Sequence, residues 1–204
     1  MKKIGIMGGT FDPVHIGHLI LAECVRDTAG LDEVRFLPSG ISYLKKGRED
    51  GVSPAGDRLE MCRLAIEGNP YFSVSDLEIR RGGNSYTCET MEALRAAEPD
   101  NEFCFLCGAD SVLQMASWYR PDRLFSACRI LAVERGDKVS PEALQEAAAE
   151  LKEQYGARIS VLPMRDIPIS STELREALRS GRSVRYRIPE AVERYIRARG
   201  LYHG

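Results

Sequence analysis

No run of 18 apolar residues occurs in the 204-residue sequence, so no segment is long enough to cross a bilayer as a helix. The opening stretch MKKIGIMGGT has a short apolar part that Gly8-Gly9 breaks at once, which excludes a secretory signal and predicts a cytoplasmic protein. A surplus of either charge is also missing. Lys and Arg number 28 against 30 Asp and Glu, a net charge of -2, which argues against a chain whose main task is coating nucleic acid or an anionic membrane. No Pro/Ser-rich linker, repeat or low-complexity tract divides the chain. A single domain over residues 1–204 is therefore expected, with 170–204 as a helical C-terminal lobe. Histidine and tryptophan are scarce as well, at 3 and 1, and their positions carry information for that reason.

The cysteines, at 24, 62, 88, 104, 107 and 128, are spread through apolar periodic segments. That placement suits buried thiols and excludes a disulfide-stapled scaffold. Cys104 and Cys107 have the spacing of a metal-binding pair, but they lie in the strand-like run FCFLCG, and no second Cys or His pair completes a set of four ligands. No metal ligands are assigned.

What is present is an alternation of short apolar strands and amphipathic helices. Lys3 to Met7 reads as a strand, followed by a glycine turn and a helix from Gly17 to Thr28. Val34 to Leu37, Phe72 to Ser75, Glu102 to Cys107, Arg129 to Val133 and Arg158 to Leu162 read as further strands. Helices are expected over Asp57 to Ile66, with Leu59, Cys62 and Ile66 on one face, from Ser85 to Ala97, and after Ser140-Pro141. Near-continuous apolar strands with helices between them predict an α/β fold with a doubly wound, mostly parallel sheet covered on both faces. The final third differs in texture. From Ser171 to Gly204 there are eight Arg and four Glu, a local excess of +4.

The densest chemical signal is GGTFDPVHIGH, Gly8 to His18, which holds His15 and His18, two of the three histidines. Gly8 and Gly9 would let the main chain turn and approach a phosphate, and the histidines would flank the positive start of a helix. The spacing matches neither a Walker nor a dinucleotide fingerprint. By residue type alone, glycines that only turn the chain and histidines that only cap the helix fit equally well. A second anion candidate is ISSTELR, Ile169 to Arg175, where Ser171 or Thr172 can cap a helix and Arg175 stays within a turn of its positive end. Ordinary capping and solvation would use the same residues.

Together these motifs resemble the nucleotidyltransferase superfamily related to class I aminoacyl-tRNA synthetases, with its Thr/HxGH element at Thr10, His15, Gly17 and His18 and its late ISSTxxR motif. SYTCETMEAL (85–94), FLCGADSVLQMASWYRPDRLF (105–125) and the tail with Ile188-Pro189, Val192, Tyr195, Ile196 and Leu201-Tyr202 extend the resemblance, over nearly the full chain, to bacterial nicotinate-nucleotide adenylyltransferases. The resemblance implies a Rossmann-like fold and attack by the phosphate of nicotinate mononucleotide on the α-phosphorus of ATP, releasing pyrophosphate. It implies catalytic positions at His18, His15 and Thr10, and ATP binding by Gly8, Gly9, Thr10, His15, His18, Gly108, Asp110, Ser171, Thr172 and Arg175. It further implies Mg²⁺ carried mainly on the ATP phosphates, consistent with an ion that dehydrates reluctantly. For the mononucleotide it implies stacking on Trp118 and recognition by Tyr86 and Thr87.

One stretch departs from the family. After the second strand the family commonly carries Pro-Pro-His-Lys, whereas this sequence reads Pro38-Ser39-Gly40-Ile41-Ser42-Tyr43-Leu44-Lys45-Lys46-Gly47. Lys45 or Lys46 can meet the mononucleotide phosphate as a flexible point charge, and a solvated lysine pair accounts for them equally well. The departure keeps other readings open: a transferase of the same superfamily with another phosphorylated acceptor, nicotinamide mononucleotide included, or a non-catalytic nucleotide-binding protein. No nucleic-acid or membrane partner is expected, and a homo-oligomer is left open.

Overall fold

The computed structural model describes residues 1–42, 52–135, 139–165 and 167–202. In chain order the elements are β1 (Lys3–Gly9), α1 (Ile16–Ala29), β2 (Glu33–Pro38), β3 (Ile41–Ser42), α2 (Ala55–Ile66), β4 (Phe72–Val74), α3 (Leu77–Arg81), β5 (Asn84–Ser85) and α4 (Thr87–Ala97). They continue with β6 (Glu102–Gly108), α5 (Ala109–Val112), a 3-10 turn at Met115–Ser117, α6 (Pro121–Ala127), β7 (Arg129–Arg135), α7 (Pro141–Tyr155), β8 (Ile159–Met164), α8 (Ser171–Arg179) and α9 (Glu190–Arg199). Six strands pair in the order β4-β2-β1-β6-β7-β8, and every pairing is parallel. The direction of winding reverses between β1 and β6, and a crevice opens beyond the strand ends at such a reversal. The fold class expected from the strand and helix pattern is the one found.

Strand alternation divides the core into two layers. Ile4 and Ile6 of β1, Phe103 of β6 and Ile130 and Ala132 of β7 pack against Met91 and Leu94 of α4 and Leu144 and Leu151 of α7. On the other face Met7, Leu106, Leu131 and Val133 meet Ala22 and Val25 of α1 and Met61 and Cys62 of α2. Leu174, Ala177 and Leu178 of α8 and Val192 and Ile196 of α9 belong to this second layer. The Arg-rich C-terminal stretch is thus pinned to the sheet by its apolar residues. Burial pushes the Cys128 thiol up to about 12 and the Cys62 thiol still higher, as suits unreactive core residues.

Three local expectations are corrected. The elements β3, α3, β5, α5 and α6 were not anticipated; most are two to five residues long, too short for periodicity to register. In α2 the buried residues are Asp57, Arg58, Met61 and Cys62, while Leu59 is only half-buried, because polar partners draw the start of the helix inward. The cap of α8 is Ser170, whose Oγ accepts from the N–H of Glu173 at 3.2 Å, and not Ser171 or Thr172.

Candidate active site

The crevice at the β1/β6 reversal has a volume of about 640 Å³, in the range of small-molecule sites. One wall is the end of β1 with Gly8, Gly9 and Thr10, together with His18 on the first turn of α1. Ser39, just past β2, is tied to that wall by its N–H, which donates to the Gly9 carbonyl at 2.8 Å. The opposite wall is built from Tyr86 and Thr87 at the start of α4, from Gly108 and Asp110 after β6, and from Trp118.

His15 caps α1 with extended backbone and is 6% exposed. Its N–H donates to Nδ1 of His18 at 3.2 Å, and the two imidazoles stack with centroids 3.7 Å apart. With Nδ1 of His18 occupied as an acceptor, the neutral ring carries its proton on Nε2, so His18 can donate a hydrogen bond into the crevice. The edge of Phe11 meets the His18 ring at 5.0 Å and fixes its plane. Gly17 lies close against this pair: a Cβ there would lie 3.0 Å from Nδ1 of His15, which would have to give way.

ISSTELR, whose Ser171 is 158 residues from Pro13, reaches the same loop. Ser171 Oγ donates to the Pro13 carbonyl at 2.9 Å, and Nη1 of Arg175 donates to the Asp12 carbonyl at 2.7 Å. The other nitrogen, Nη2, lies 3.4 Å from Oγ1 of Thr172. Both anion candidates are brought together, with Ser171 and Arg175 holding the backbone of the Gly8–His18 loop.

Across the crevice, Trp118 is half-buried and meets Phe105 edge-on at 6.2 Å. The rings of Tyr86 and Tyr119 lie 4.3 Å apart. Tyr86 is the cap position of the 11-residue helix α4, so the positive end of that helix faces the cavity. Asp110 is exposed in the first turn of α5. Lys45 and Lys46 lie outside the described residues.

Sequence reasoning missed Glu78, which lines the cavity while 7% exposed and accepts from Oγ1 of Thr90 at 2.8 Å. Arg81 Nη2 donates to the same hydroxyl oxygen at 3.0 Å. It also missed Arg58, 2% exposed behind the crevice. Neither sits in a spaced motif, and no signal in one sequence marks them. Among the described residues no group of three or more His, Cys, Asp or Glu side chains converges as a metal site, and no helix is long and apolar enough to cross a membrane.

A parallel α/β sheet commonly binds its ligand in such a crevice at the reversal, and the class is given by the family model for cytidylyltransferase-like proteins, which matches residues 6–177. Full-length relatives narrow the class. A protein of Lachnoclostridium phytofermentans is 43% identical over 99% of this chain and 100% of its own, and one of Dehalococcoides mccartyi is 40% identical over 98% and 97%; each bears the name "Probable nicotinate-nucleotide adenylyltransferase". A solved structure of Plasmodium falciparum nicotinic acid mononucleotide adenylyltransferase complexed with NaAD superposes with a TM-score of 0.79 at 19% identity, covering 99% of this chain and 98% of that one. The chain belongs to the nicotinate-nucleotide adenylyltransferases of the cytidylyltransferase-like family.

Proposed function

We propose that the chain transfers the adenylyl group of ATP to nicotinate mononucleotide, giving nicotinate adenine dinucleotide and pyrophosphate by direct in-line attack. The observation that carries this reading is the arrangement of one crevice, with Gly8, Gly9, Thr10 and His18 on one wall and Tyr86, Thr87 and Trp118 on the other. The acceptor phosphate is itself the nucleophile, so the protein's part is to hold two anions in line and offset the charge that grows between them. His18 donates from Nε2 to the α-phosphate, with Thr10 beside it, and His15 orients the His18 ring through its own N–H. Gly8 and Gly9 allow close approach of the backbone. Ser171, Thr172 and Arg175 serve the leaving phosphates, and Asp110 the ATP ribose beside Gly108.

The pyridine ring stacks on Trp118, and the start of α4 at Tyr86 and Thr87 offers hydroxyls and a positive dipole to the ring carboxylate. Lys45 or Lys46 meets the mononucleotide phosphate. Asp110 is an exposed carboxylate at the crevice, and Mg²⁺ carried mainly on the ATP phosphates would supply charge neutralisation there. The reading involves a cytoplasmic enzyme, no nucleic acid and no membrane, and residues 1–204 acting as one catalytic unit with 170–204 as its helical lobe. Purified protein with Mg²⁺, ATP and nicotinate mononucleotide is expected to release pyrophosphate. Turnover of nicotinamide mononucleotide with none of the nicotinate form would overturn the acceptor, and ATP binding without pyrophosphate release from any acceptor would overturn the transfer.

A further inference from the structure

Arg58 is a charged side chain, 2% exposed, which among the described residues donates four hydrogen bonds, each to a main-chain carbonyl. Nη1 donates to Thr10 at 2.8 Å, Nη2 to Ser39 at 2.8 Å and to Gly40 at 3.3 Å, and Nε to Ser53 at 3.0 Å. Thr10 follows β1 and Ser39-Gly40 follow β2, so one rigid guanidinium spans the two loops that bound the crevice. It does so from behind, since Arg58 is not part of the crevice lining. A buried cation is costly, and well-packed apolar groups of similar size often serve stability as well or better. What an apolar residue cannot do is fix three separate backbone stretches at set distances, which the planar fork of arginine does.

Two buried carboxylates act on Arg58, Asp12 more strongly than Glu78; Asp12 is 2% exposed, inside the Gly8–His18 loop. Its carboxylate accepts from the hydroxyl of Tyr202 and, at 3.2 Å, from the N–H of Ser53. Burial, followed by the charge of Asp12, raises the pKa of the Tyr202 hydroxyl and keeps it a donor. A parallel tie secures the start of α2, where Asp57 accepts from Tyr195 at 2.7 Å and from Arg199 at 3.2 Å. The half-buried Tyr202 and Tyr195 and the exposed Arg199 therefore tie the C-terminal residues to the Gly8–His18 loop and to the start of α2.

We infer that Arg58 is a positioning residue which, with Asp12 and the C-terminal Tyr202 as its support, sets the separation of the ATP-phosphate loop from the mononucleotide loop. The inference rests on the adenylyl-transfer reading for its effect on rate and on the geometry alone for its effect on the loops. In-line attack demands reacting atoms about 3–3.5 Å apart, and a misplacement of about 1 Å can cost roughly 100-fold. Arg58→Lys keeps the charge but replaces the fork with a single ammonium.

Steady-state kinetics and hydrogen exchange on the full-length chain test this. In Arg58→Lys, kcat is expected to fall roughly 10- to 100-fold with KM for each substrate changed less than about threefold. Exchange at the Ser39 amide and over residues 10–16 is expected to quicken, with protection elsewhere kept. Tyr202→Phe, which removes only the hydroxyl, is expected to move the same readouts in the same direction by a smaller factor, and it decides the matter if Arg58→Lys does not fold. Unchanged exchange at both loops in a folded variant overturns the inference, as does slowed turnover accompanied by a uniform loss of protection. If the parent protein releases no pyrophosphate, the transfer reading has failed, while faster loop exchange in the variants still supports the positioning of the loops.

Discussion

The N–H of His15 donates to Nδ1 of His18 across one turn of α1, so the capping residue of that helix determines which nitrogen of the second histidine faces the crevice. A helix cap and a proton-bearing donor are thereby made from the same two residues. The expected consequence is that His18→Ala loses turnover by about 100-fold or more, the scale seen when one oriented donor is removed from a developing oxyanion. Thermal unfolding should shift little, because His18 is only half-buried. Pyrophosphate release and a melting curve on the same preparation check both parts.

Gly17→Ala separates stability from activity. Alanine favours helix over glycine by roughly 1 kcal/mol, yet its Cβ would lie 3.0 Å from Nδ1 of His15. The variant is expected to melt no lower than the parent while kcat falls about tenfold, as displacement of the His15 ring disturbs the stacked pair. Equal kcat in the two proteins would remove the histidine stack from the mechanism.

Trp118→Ala should raise KM for the mononucleotide about fivefold, the equivalent of roughly 1 kcal/mol of lost ring stacking. KM for ATP should stay close to its original value. A matching rise for both substrates would instead mark Trp118 as a scaffold residue, packed on Phe105.

Arg35 and Glu98 form an ion pair with Nη1 and Oε1 2.6 Å apart. The hydrogen bond from Arg35 holds the Glu98 carboxyl below the usual carboxylate range. A carboxylate with a lowered folded-state pKa contributes stability above its unfolded pKa, near 4.3, and loses it as the pH falls through the folded value. Glu98→Gln is accordingly expected to lower stability by about 1 kcal/mol at pH 7, with the difference from the parent shrinking below about pH 4. Urea titrations at the two pH values measure it.

Truncation before Ser170 would remove Leu174, Val192 and Ile196, each fully buried against the sheet. Losing these three side chains, at about 2 kcal/mol or more each, is already comparable to the roughly 5–15 kcal/mol stability of an ordinary domain. The shortened chain is expected to show no cooperative melting transition, and a cooperative one would mean that the C-terminal lobe is dispensable to the fold.

Much of this was legible in the residues alone. Near-continuous apolar runs in β1, β6 and β7 and period-3.6 apolar patterns in α1 and α7 report burial on two faces or one, which is a local property of the chain. The histidine pair was legible because three residues of helix suffice to bring His15 and His18 together. Short elements such as α3 and β5 left no periodic trace, and the choice of Ser170 over Ser171 as the α8 cap hung on the docking of that helix against Pro13.

Sequence by itself determined the layered α/β class, the near-neutral charge, and the two candidate anion-binding stretches with their resemblance to nucleotidyltransferases. Only the tertiary structure decided that Ser171 and Arg175 close on the carbonyls of Pro13 and Asp12, and that Arg58 of α2 spans Thr10, Ser39 and Gly40. The physical reason is that a main-chain carbonyl is the same group at every residue. Nothing in composition or spacing marks which carbonyls a buried guanidinium will meet, and that assignment exists only once the strand ends have been brought side by side.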